Sequence, residues 1–144
     1  MAIVYFDASA LVKLLVTEPG SETAAALWDG CDAAVSSRLA YPEVCAALAA
    51  AGRNGDLDEE SLAMCEQDWE EFWAAIRPVE LSERVQRVAG RLAKRHRLRG
   101  ADAVHLASAL EIDAASLVLA VWDRRLHAGA AAENLAVAPA TPGG

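Results

Sequence analysis

Two short, largely apolar runs that each stop at an aspartate constrain the fold more than any other feature of this sequence. Residues 2–6 run into Asp7, and residues 116–122 run into Asp123. Runs of this length, with helical patterns between them, are typical of strands buried on both faces. Strands that alternate with helices predict a parallel sheet covered on both sides, which is an α/β fold with three α/β/α layers.

The rest of the sequence predicts further elements of the same fold. Weaker strands are expected at 33–36, 78–81 and 135–137. Helices are expected after Asp7, at 21–28, 37–53, 58–76, from 82 to the glycine at 100, at 101–112 and from 123 to 132, with Ser21, Asp58 and Ser82 as N-caps. A length of 144 residues suits a single domain, here residues 1–138, with a tail at 139–144 that we expect to be disordered.

The apolar runs and the cysteines both favour a cytoplasmic protein. No run reaches the roughly 18–20 residues that a membrane span requires, so neither a span nor a signal peptide is expected. The cysteines, Cys31, Cys45 and Cys65, are odd in number and not closely spaced, which argues against a disulfide framework or a zinc site. Free thiols are typical of the reducing cytoplasm.

The charges are polarised along the sequence. Acidic residues outnumber basic ones by 21 to 13, and the net charge of −8, taken as an average, disfavours a nucleic-acid partner. However, Arg84–Arg99 holds seven basic residues and no acidic one, whereas Asp56–Glu71 holds eight acidic residues and no basic one. Two interpretations remain open: a basic face that binds a polyanion through Arg91, Lys94 and Arg95, or two solvated helix faces that pair with each other.

Asp7 and Asp123 each follow a predicted strand, and ligands of an open parallel sheet bind just beyond the carboxyl ends of its strands. Two carboxylates that converge there repel each other and raise a pKa, unless a divalent cation holds them. Each aspartate could instead be the N-cap of the helix that follows. Because both occupy equivalent places in the predicted sheet, we favour a shared functional site.

Asp102 is a third candidate for this site. It shares a helical face with Leu106 and Leu110, so its carboxylate is predicted to point inward near the start of the helix. An inward carboxylate must be paired, bound to a metal or neutralised. An ion pair with Arg99 or Arg124 is the alternative to a functional role.

Glu43 is a more ambiguous candidate. It shares a helical face with Ala46, Ala47 and Ala50, whose small side chains would let another element approach closely. The pattern fits a solvated glutamate and a fourth ligand equally well. His105, close to the predicted inward carboxylate, is interpreted as a packing or supporting residue.

Four segments together resemble the acidic motifs of the PIN-domain ribonucleases: VYFDASAL at 4–11, PEV at 42–44, GADAVHLA at 100–107 and WDRRL at 122–126. The resemblance is closest to the VapC-type toxins of bacterial toxin–antitoxin pairs, and it runs in the family's order from about residue 3 to residue 138. It implies a PIN-like α/β/α sandwich with a short central parallel sheet and a protruding helical pair. The chain departs from the pattern at Val121 and Trp122, where many relatives carry Thr or Ser.

The resemblance implies a metal-dependent endoribonuclease. By their places in the motifs, Asp7, Glu43, Asp102 and Asp123 are expected to be catalytic and to bind one or two Mg²⁺ or Mn²⁺ ions, with the Ser9 hydroxyl supporting the first aspartate. Two hard cations about 3.5–4 Å apart can activate a water and stabilise the leaving oxygen of a phosphodiester. Oxygen ligands select such cations over zinc.

The resemblance also implies partners. An RNA substrate and a cognate antitoxin that keeps the enzyme silent are expected, together with a homodimer. The helices predicted at 37–53 and 58–76 would clamp the antitoxin, with Trp69 and Trp73 as anchors. Their spacing of four residues on one helix is also typical of a stripe that packs in the core, and the sequence does not separate the two interpretations. Independently of the resemblance, Arg124 and Arg125 follow the last motif aspartate, and their position fits contacts to phosphate and an exposed, solvated role equally well.

Two other functions remain as alternatives. A non-catalytic PIN scaffold that binds RNA or a protein is motivated by Val121. Phosphoryl transfer through an aspartyl phosphate on Asp7 is less well supported, because Ser9 stands where haloacid dehalogenase-like phosphatases carry a second aspartate. Metal-dependent RNA cleavage would distinguish the nuclease from the scaffold, and phosphate incorporation on Asp7 would reveal the phosphotransferase.

Overall fold

The computed structural model of this chain describes residues 2–113 and 115–142. Parallel strands form one sheet in the order β3-β2-β1-β4-β5. The strands are β1 (Ile3–Phe6), β2 (Ala33–Ser37), β3 (Arg77–Val79), β4 (Leu117–Ala120) and β5 (Ala136–Ala138). Each strand expected from the sequence is therefore present, with its ends displaced by at most two residues.

Helices connect these strands, as predicted. They are α1 (Ala8–Leu15), α2 (Ser21–Gly30), α3 (Ala40–Arg53), α4 (Glu59–Ala75), α5 (Glu83–His96), α6 (Gly100–Leu110) and α7 (Arg124–Ala132). The N-caps predicted at Asp58 and Ser82 are confirmed, because their side chains accept hydrogen bonds from the amides of Ser61 and Val85.

Successive side chains of β1 enter two separate cores. Tyr5 packs in a core with residues of α5, α6 and α7, among them Leu92 and Leu106. Phe6 packs in a core with residues of α1, α3 and α4, among them Leu11 and Val44. Because neighbouring residues of a strand point to opposite faces, helices cover both sides of the sheet. The predicted three-layer α/β/α fold is confirmed.

Two local predictions are wrong. The helix expected from residue 37 begins at Ala40, because Ser37 ends β2 and its hydroxyl accepts a hydrogen bond from the Leu39 amide at 3.1 Å. Ser21 is not the N-cap of α2. Gly20 holds that position with a φ of 94°, while the Ser21 hydroxyl bonds to the loop before the helix.

The predicted tail lies only partly in the described chain. Residues 143 and 144 are outside the described residues. The carbonyl of Pro139, at the start of that tail, lies 2.9 Å from Nε2 of His127 in α7. None of the helices in the described residues is long and apolar enough to cross a membrane.

Candidate active site

The four carboxylates singled out by sequence line a single cleft at the carboxyl edge of the sheet. Asp7 follows β1 directly, and Asp123 follows β4, the strand beside it. Glu43 and Asp102 lie in the first turns of α3 and α6. The fold thus brings together residues that are far apart in the sequence.

Each of these carboxylates stands at the N-terminus of a helix. Asp7 and Asp123 are the N-caps of α1 and α7, while Glu43 and Asp102 lie in the first turns of their helices. Unpaired amides give the start of a helix a partial positive charge, which stabilises a nearby carboxylate. Four such helix starts offset part of the repulsion among the acidic groups of the cleft.

Asp7 is the most buried of the four, with 4% of its surface exposed. Its carboxylate accepts hydrogen bonds from the Ala10 amide at 2.9 Å and from the Ser9 hydroxyl at 2.9 and 3.0 Å. Burial raises the pKa of Asp7, and Asp102 raises it further, while His105 and the two hydrogen-bond donors oppose this effect. The Ser9 hydroxyl therefore contacts the aspartate that it was expected to support.

Asp102 is only partly buried, and charged groups on several elements act on its carboxylate. Burial raises its pKa, Asp123 and Glu43 raise it further, and His105 lowers it. Arg99 lowers this pKa by less than either carboxylate raises it. The ion pair that the sequence offered as an alternative is thus the weaker influence on Asp102.

Arg99 is a residue of the site whose place sequence analysis missed. It lines the carboxylate cleft, and it also lines a second depression together with Asp102, Asp123, Arg124 and Arg125. In the sequence, Arg99 appeared only as a possible ion-pair partner. Its position at the N-cap of α6, just before a motif aspartate, was the available signal.

The structure places Glu43 in the cleft and connects it to the interior. Its Oε1 lies 2.6 Å from Nε2 of His105, and Nδ1 of His105 lies 2.7 Å from the hydroxyl of Tyr5. His105 is 1% exposed, and Tyr5 is completely buried. Sequence analysis left Glu43 open and missed Tyr5, because a tyrosine within an apolar strand shows no sign of a polar partner.

A further carboxylate, Glu18, also lines the cleft and was not expected. Nζ of Lys13 lies 3.1 Å from its Oε1, and the same ammonium group lies 5.2 Å from the ring centroid of Trp122. Gly20 approaches this tryptophan so closely that a Cβ there would lie 2.8 Å from the indole Nε1. Trp122 therefore packs against the loop between α1 and α2, beside Asp123.

The predicted RNA-binding residues of α5 are exposed and lie outside the lining of the cleft. Oε2 of Glu133 lies 3.0 Å from a guanidinium nitrogen of Arg95, which is thereby partly neutralised. Other ion pairs of α5 join Arg84 to Glu111 and Arg87 to Glu83. All three acidic partners lie outside the acidic segment Asp56–Glu71. These ion pairs therefore do not support the alternative in which the basic and the acidic helix faces pair with each other.

The two tryptophans predicted as antitoxin anchors differ in accessibility. Trp69 is 2% exposed and packs in the core against Tyr41, so its ring is not accessible to a partner in this structure. Trp73 is partly exposed. It lines a largely apolar groove with Arg38, Leu39, Tyr41, Pro42 and Leu81.

The donor set of the cleft suits a hard divalent cation. Mg²⁺ and Mn²⁺ prefer carboxylate oxygens, and a cation would relieve the unfavourable ionisation of Asp7 and Asp102. Within residues 2–113 and 115–142, no three His, Cys, Asp or Glu side chains are already arranged to hold a metal ion. The chemistry therefore fits a cation, while the side chains would have to draw together to ligate it.

Comparison with known proteins identifies the family. The model of the PIN domain family matches residues 4–133, so the chain belongs to the PIN-domain family, as its motifs predicted. It is 69% identical over 140 residues to two proteins of Mycobacterium tuberculosis, ribonuclease VapC45 (strain CDC 1551 / Oshkosh) and ribonuclease VapC49 (strain ATCC 25618 / H37Rv), with 97% of each chain covered. A toxin-antitoxin complex from Klebsiella pneumoniae has the same fold, with a TM-score of 0.63 and 19% identity over 90% of this chain and 92% of that one.

Proposed function

We propose that this protein is an endoribonuclease, the toxin of a toxin–antitoxin pair, with the carboxylate cleft as its active site. The convergence of Asp7, Glu43, Asp102 and Asp123 at one edge of the sheet is the observation that carries this proposal. Membership of the PIN-domain family and 69% identity to two proteins named ribonuclease VapC support the same activity.

Asp7, Glu43, Asp102 and Asp123 would hold Mg²⁺ or Mn²⁺. When bound, such a cation activates a water and stabilises the leaving oxygen of a phosphodiester. The protein contributes a carboxylate of fixed orientation at Asp7, because the Ala10 amide and a neighbouring serine hydroxyl hold both of its oxygens. Charge repulsion between the other carboxylates favours binding of a positive group in the metal-free cleft.

Substrate RNA would approach through the positive charge beside the cleft. Arg99, Arg124 and Arg125 surround the depression that they share with two of the carboxylates. A guanidinium binds phosphate oxygens through two parallel hydrogen bonds, so these residues would hold the RNA backbone next to the acidic groups. Arg91 and Lys94 of α5, with a smaller contribution from Arg95, would extend the path.

A cognate antitoxin would inhibit the enzyme by placing an arginine in the cleft. Without a cation, the clustered carboxylates repel one another in a partly desolvated site. A guanidinium can bridge two carboxylates and relieve that repulsion. An apolar part of the same antitoxin would occupy the groove beside Trp73, where Tyr41, Pro42 and Leu81 are accessible from outside.

The nuclease activity is tested with a panel of RNAs incubated with Mg²⁺, Mn²⁺ or EDTA. We expect cleavage with either metal and none in EDTA, and we expect Asp102→Asn to abolish cleavage in a folded protein, because the amide keeps the shape and removes the ligand charge. Full cleavage in EDTA would contradict the metal mechanism. RNA binding without cleavage under any metal would favour a non-catalytic scaffold, and phosphate incorporation on Asp7 would favour the phosphotransferase.

The antitoxin mechanism is tested on the co-purified pair. Each arginine of the partner is replaced in turn, and inhibition of RNA cleavage is measured at equal concentrations. One replacement is expected to restore cleavage. If every variant inhibits fully, the arginine does not act in the cleft. Light scattering of the purified toxin tests the predicted homodimer.

A further inference from the structure

A buried chain of hydrogen bonds connects the central strand of the sheet to the candidate active site. Tyr5 in β1 contacts Nδ1 of His105 in α6 at 2.7 Å, and Nε2 of the same imidazole contacts Oε1 of Glu43 in α3 at 2.6 Å. The rings of Tyr5 and His105 meet edge to face, with centroids 5.8 Å apart. Three elements from separate parts of the sequence are thus joined through one imidazole.

The carboxylate sets the direction of one of these hydrogen bonds. An ionised carboxylate only accepts hydrogen bonds, so Nε2 of His105 donates the proton to Glu43. The hydroxyl of Tyr5 can donate or accept, so it bonds to Nδ1 whether or not that nitrogen carries a proton. Tyr5 therefore holds the second nitrogen of the ring, and the imidazole is fixed from both sides.

Glu43 is oriented by a contact outside its own helix, whereas two of the cleft aspartates are oriented by contacts within theirs. Asp7 and Asp123 accept hydrogen bonds from amides of the helices that they cap. Glu43 has one more rotatable bond than an aspartate, and its side chain is 29% exposed, so the contact with His105 is what anchors its carboxylate. Burial of His105 on every side limits the ring to one orientation.

We propose that His105 is a positioning residue for Glu43, that Tyr5 holds the other nitrogen of its imidazole, and that together they orient one carboxylate ligand of the divalent cation. This inference rests on the proposed function, because it requires the cleft to bind a cation. Outer hydrogen-bond partners of metal ligands typically change metal affinity by about 10–100-fold when they are replaced. A buried tyrosine that lies outside the cleft would thus tune a site that it does not touch.

The first test measures Mn²⁺ binding to the full chain by calorimetry, in the absence of RNA. His105→Leu removes the donor and is expected to weaken Mn²⁺ binding by about 10–100-fold. His105→Gln keeps an amide N–H that can reach Glu43 and is expected to recover part of this loss. His96→Leu is the matched control, because Nε2 of His96 lies 2.7 Å from Oε2 of Glu133 in a similar pair away from the cleft. Its affinity for Mn²⁺ should be unchanged.

The second test uses Tyr5→Phe, which keeps the ring in the core and removes only the hydroxyl. We expect weaker Mn²⁺ binding and a changed ¹⁵N chemical shift of Nδ1 of His105, because the imidazole loses its partner on that side. A role limited to core packing would leave the Mn²⁺ affinity at its wild-type value. This variant also keeps the inference testable if His105→Leu does not fold.

The outcomes separate the inference from the function on which it rests. If the wild type binds Mn²⁺ and both His105→Leu and Tyr5→Phe bind it equally well, the positioning role is overturned and the nuclease proposal stands. A wild type that cleaves RNA but does not bind Mn²⁺ overturns the metal site and this inference together. Loss of affinity in His96→Leu equal to that in His105→Leu would also overturn the specific role of His105.

Discussion

Asp7 and Asp123 perform the same structural task on two neighbouring strands: each carboxylate accepts a hydrogen bond at 2.9 Å from the amide three residues further on. Each is therefore the N-cap of the helix that follows its strand. The sequence presented a cap and a functional carboxylate as alternatives. In the structure the two are compatible, because the cap fixes the carboxylate beyond the strand end, where the cleft lies.

Asp102→Asn is expected to stabilise the metal-free protein. At pH 7 in EDTA, an ionised Asp102 is unfavourable because of burial and of the charges on Asp123 and Glu43. We expect the free energy of unfolding to rise by about 0.5–1 kcal/mol, a modest value because water screens this half-buried group. Urea denaturation measures the change, and Asp56→Asn, at an exposed site in another part of the chain, should leave stability within about 0.5 kcal/mol of the wild type. A destabilised Asp102→Asn would contradict the repulsion.

Glu133→Gln should remove a stabilising contribution that depends on pH. Hydrogen bonds from His96 and then Arg95 lower the pKa of Glu133 below its ordinary value of 4.5. The wild type should therefore exceed Glu133→Gln in stability by about 0.5–1 kcal/mol above pH 4.5. This advantage should be lost as the pH falls through the lower pKa of the folded state. Denaturation at pH 6 and pH 3 measures it, and an advantage that grows in acid would contradict the assignment.

The arginines and lysine of α5 are expected to control the salt dependence of RNA binding. Each phosphate contact contributes about 0.7 to the slope of log affinity against log salt for single strands. Replacing Arg91, Lys94 and Arg95 with Ala should therefore flatten the slope. Arg53→Ala, at the opposite end of α3 from the cleft, serves as the control. An unchanged slope would shift the RNA path to Arg99 and the two arginines that follow Asp123.

Trp73 and Trp69 should respond differently to replacement by alanine. Trp73→Ala should weaken binding of the cognate antitoxin by about 30-fold, which corresponds to the 2 kcal/mol of a typical interface hot spot, and should cost less stability than Trp69→Ala, because Trp73 is only partly buried. Trp69→Ala should destabilise the fold by about 3–5 kcal/mol, because it leaves a cavity in the core. Calorimetric titration and thermal unfolding measure the two effects. Full antitoxin affinity in Trp73→Ala would exclude the groove.

Gly20→Ala and Gly55→Ala separate backbone strain from crowding. Both glycines have positive φ, 94° and 81°, and each alanine should cost more than about 1 kcal/mol. Gly55 has no atom within 4 Å of an added Cβ, whereas Gly20 meets Trp122. We expect Gly20→Ala to cost more stability and to reduce RNA cleavage, because displacement of Trp122 disturbs the neighbouring Asp123. Equal effects in the two variants would mean that Trp122 moves away from the added methyl group without a cost in stability.

The sequence predicted the parts of the site that local rules determine. Asp7 and Asp123 were found because a strand ending in an aspartate is visible in a few residues. Glu43 remained ambiguous, since its helical face carries only alanines and does not distinguish water from a cleft. The pair of Tyr5 and His105 could not be predicted, because their contact joins positions one hundred residues apart and both belong to apolar patterns.

The difference between the two tryptophans had a similar cause. A stripe of aromatic residues on one face of α4 predicts burial against the body of the domain. It does not predict which of the two indole rings lies at the edge of the groove. Trp69 stacks on Tyr41 inside the core, and Trp73, one turn later, contacts the same tyrosine from the edge of the groove. How α3 and α4 pack against each other decides this, and that packing is a property of the assembled fold.

The order of the strands also determines when the site can exist during translation. β1 is made early and lies in the middle of the sheet, whereas β4, its neighbour, is made late. Contacts between distant positions form only when both partners have been synthesised. A nascent chain thus carries Asp7 without Asp123, and the ribosome that produces the toxin meets an incomplete nuclease until the last of the four carboxylates has emerged.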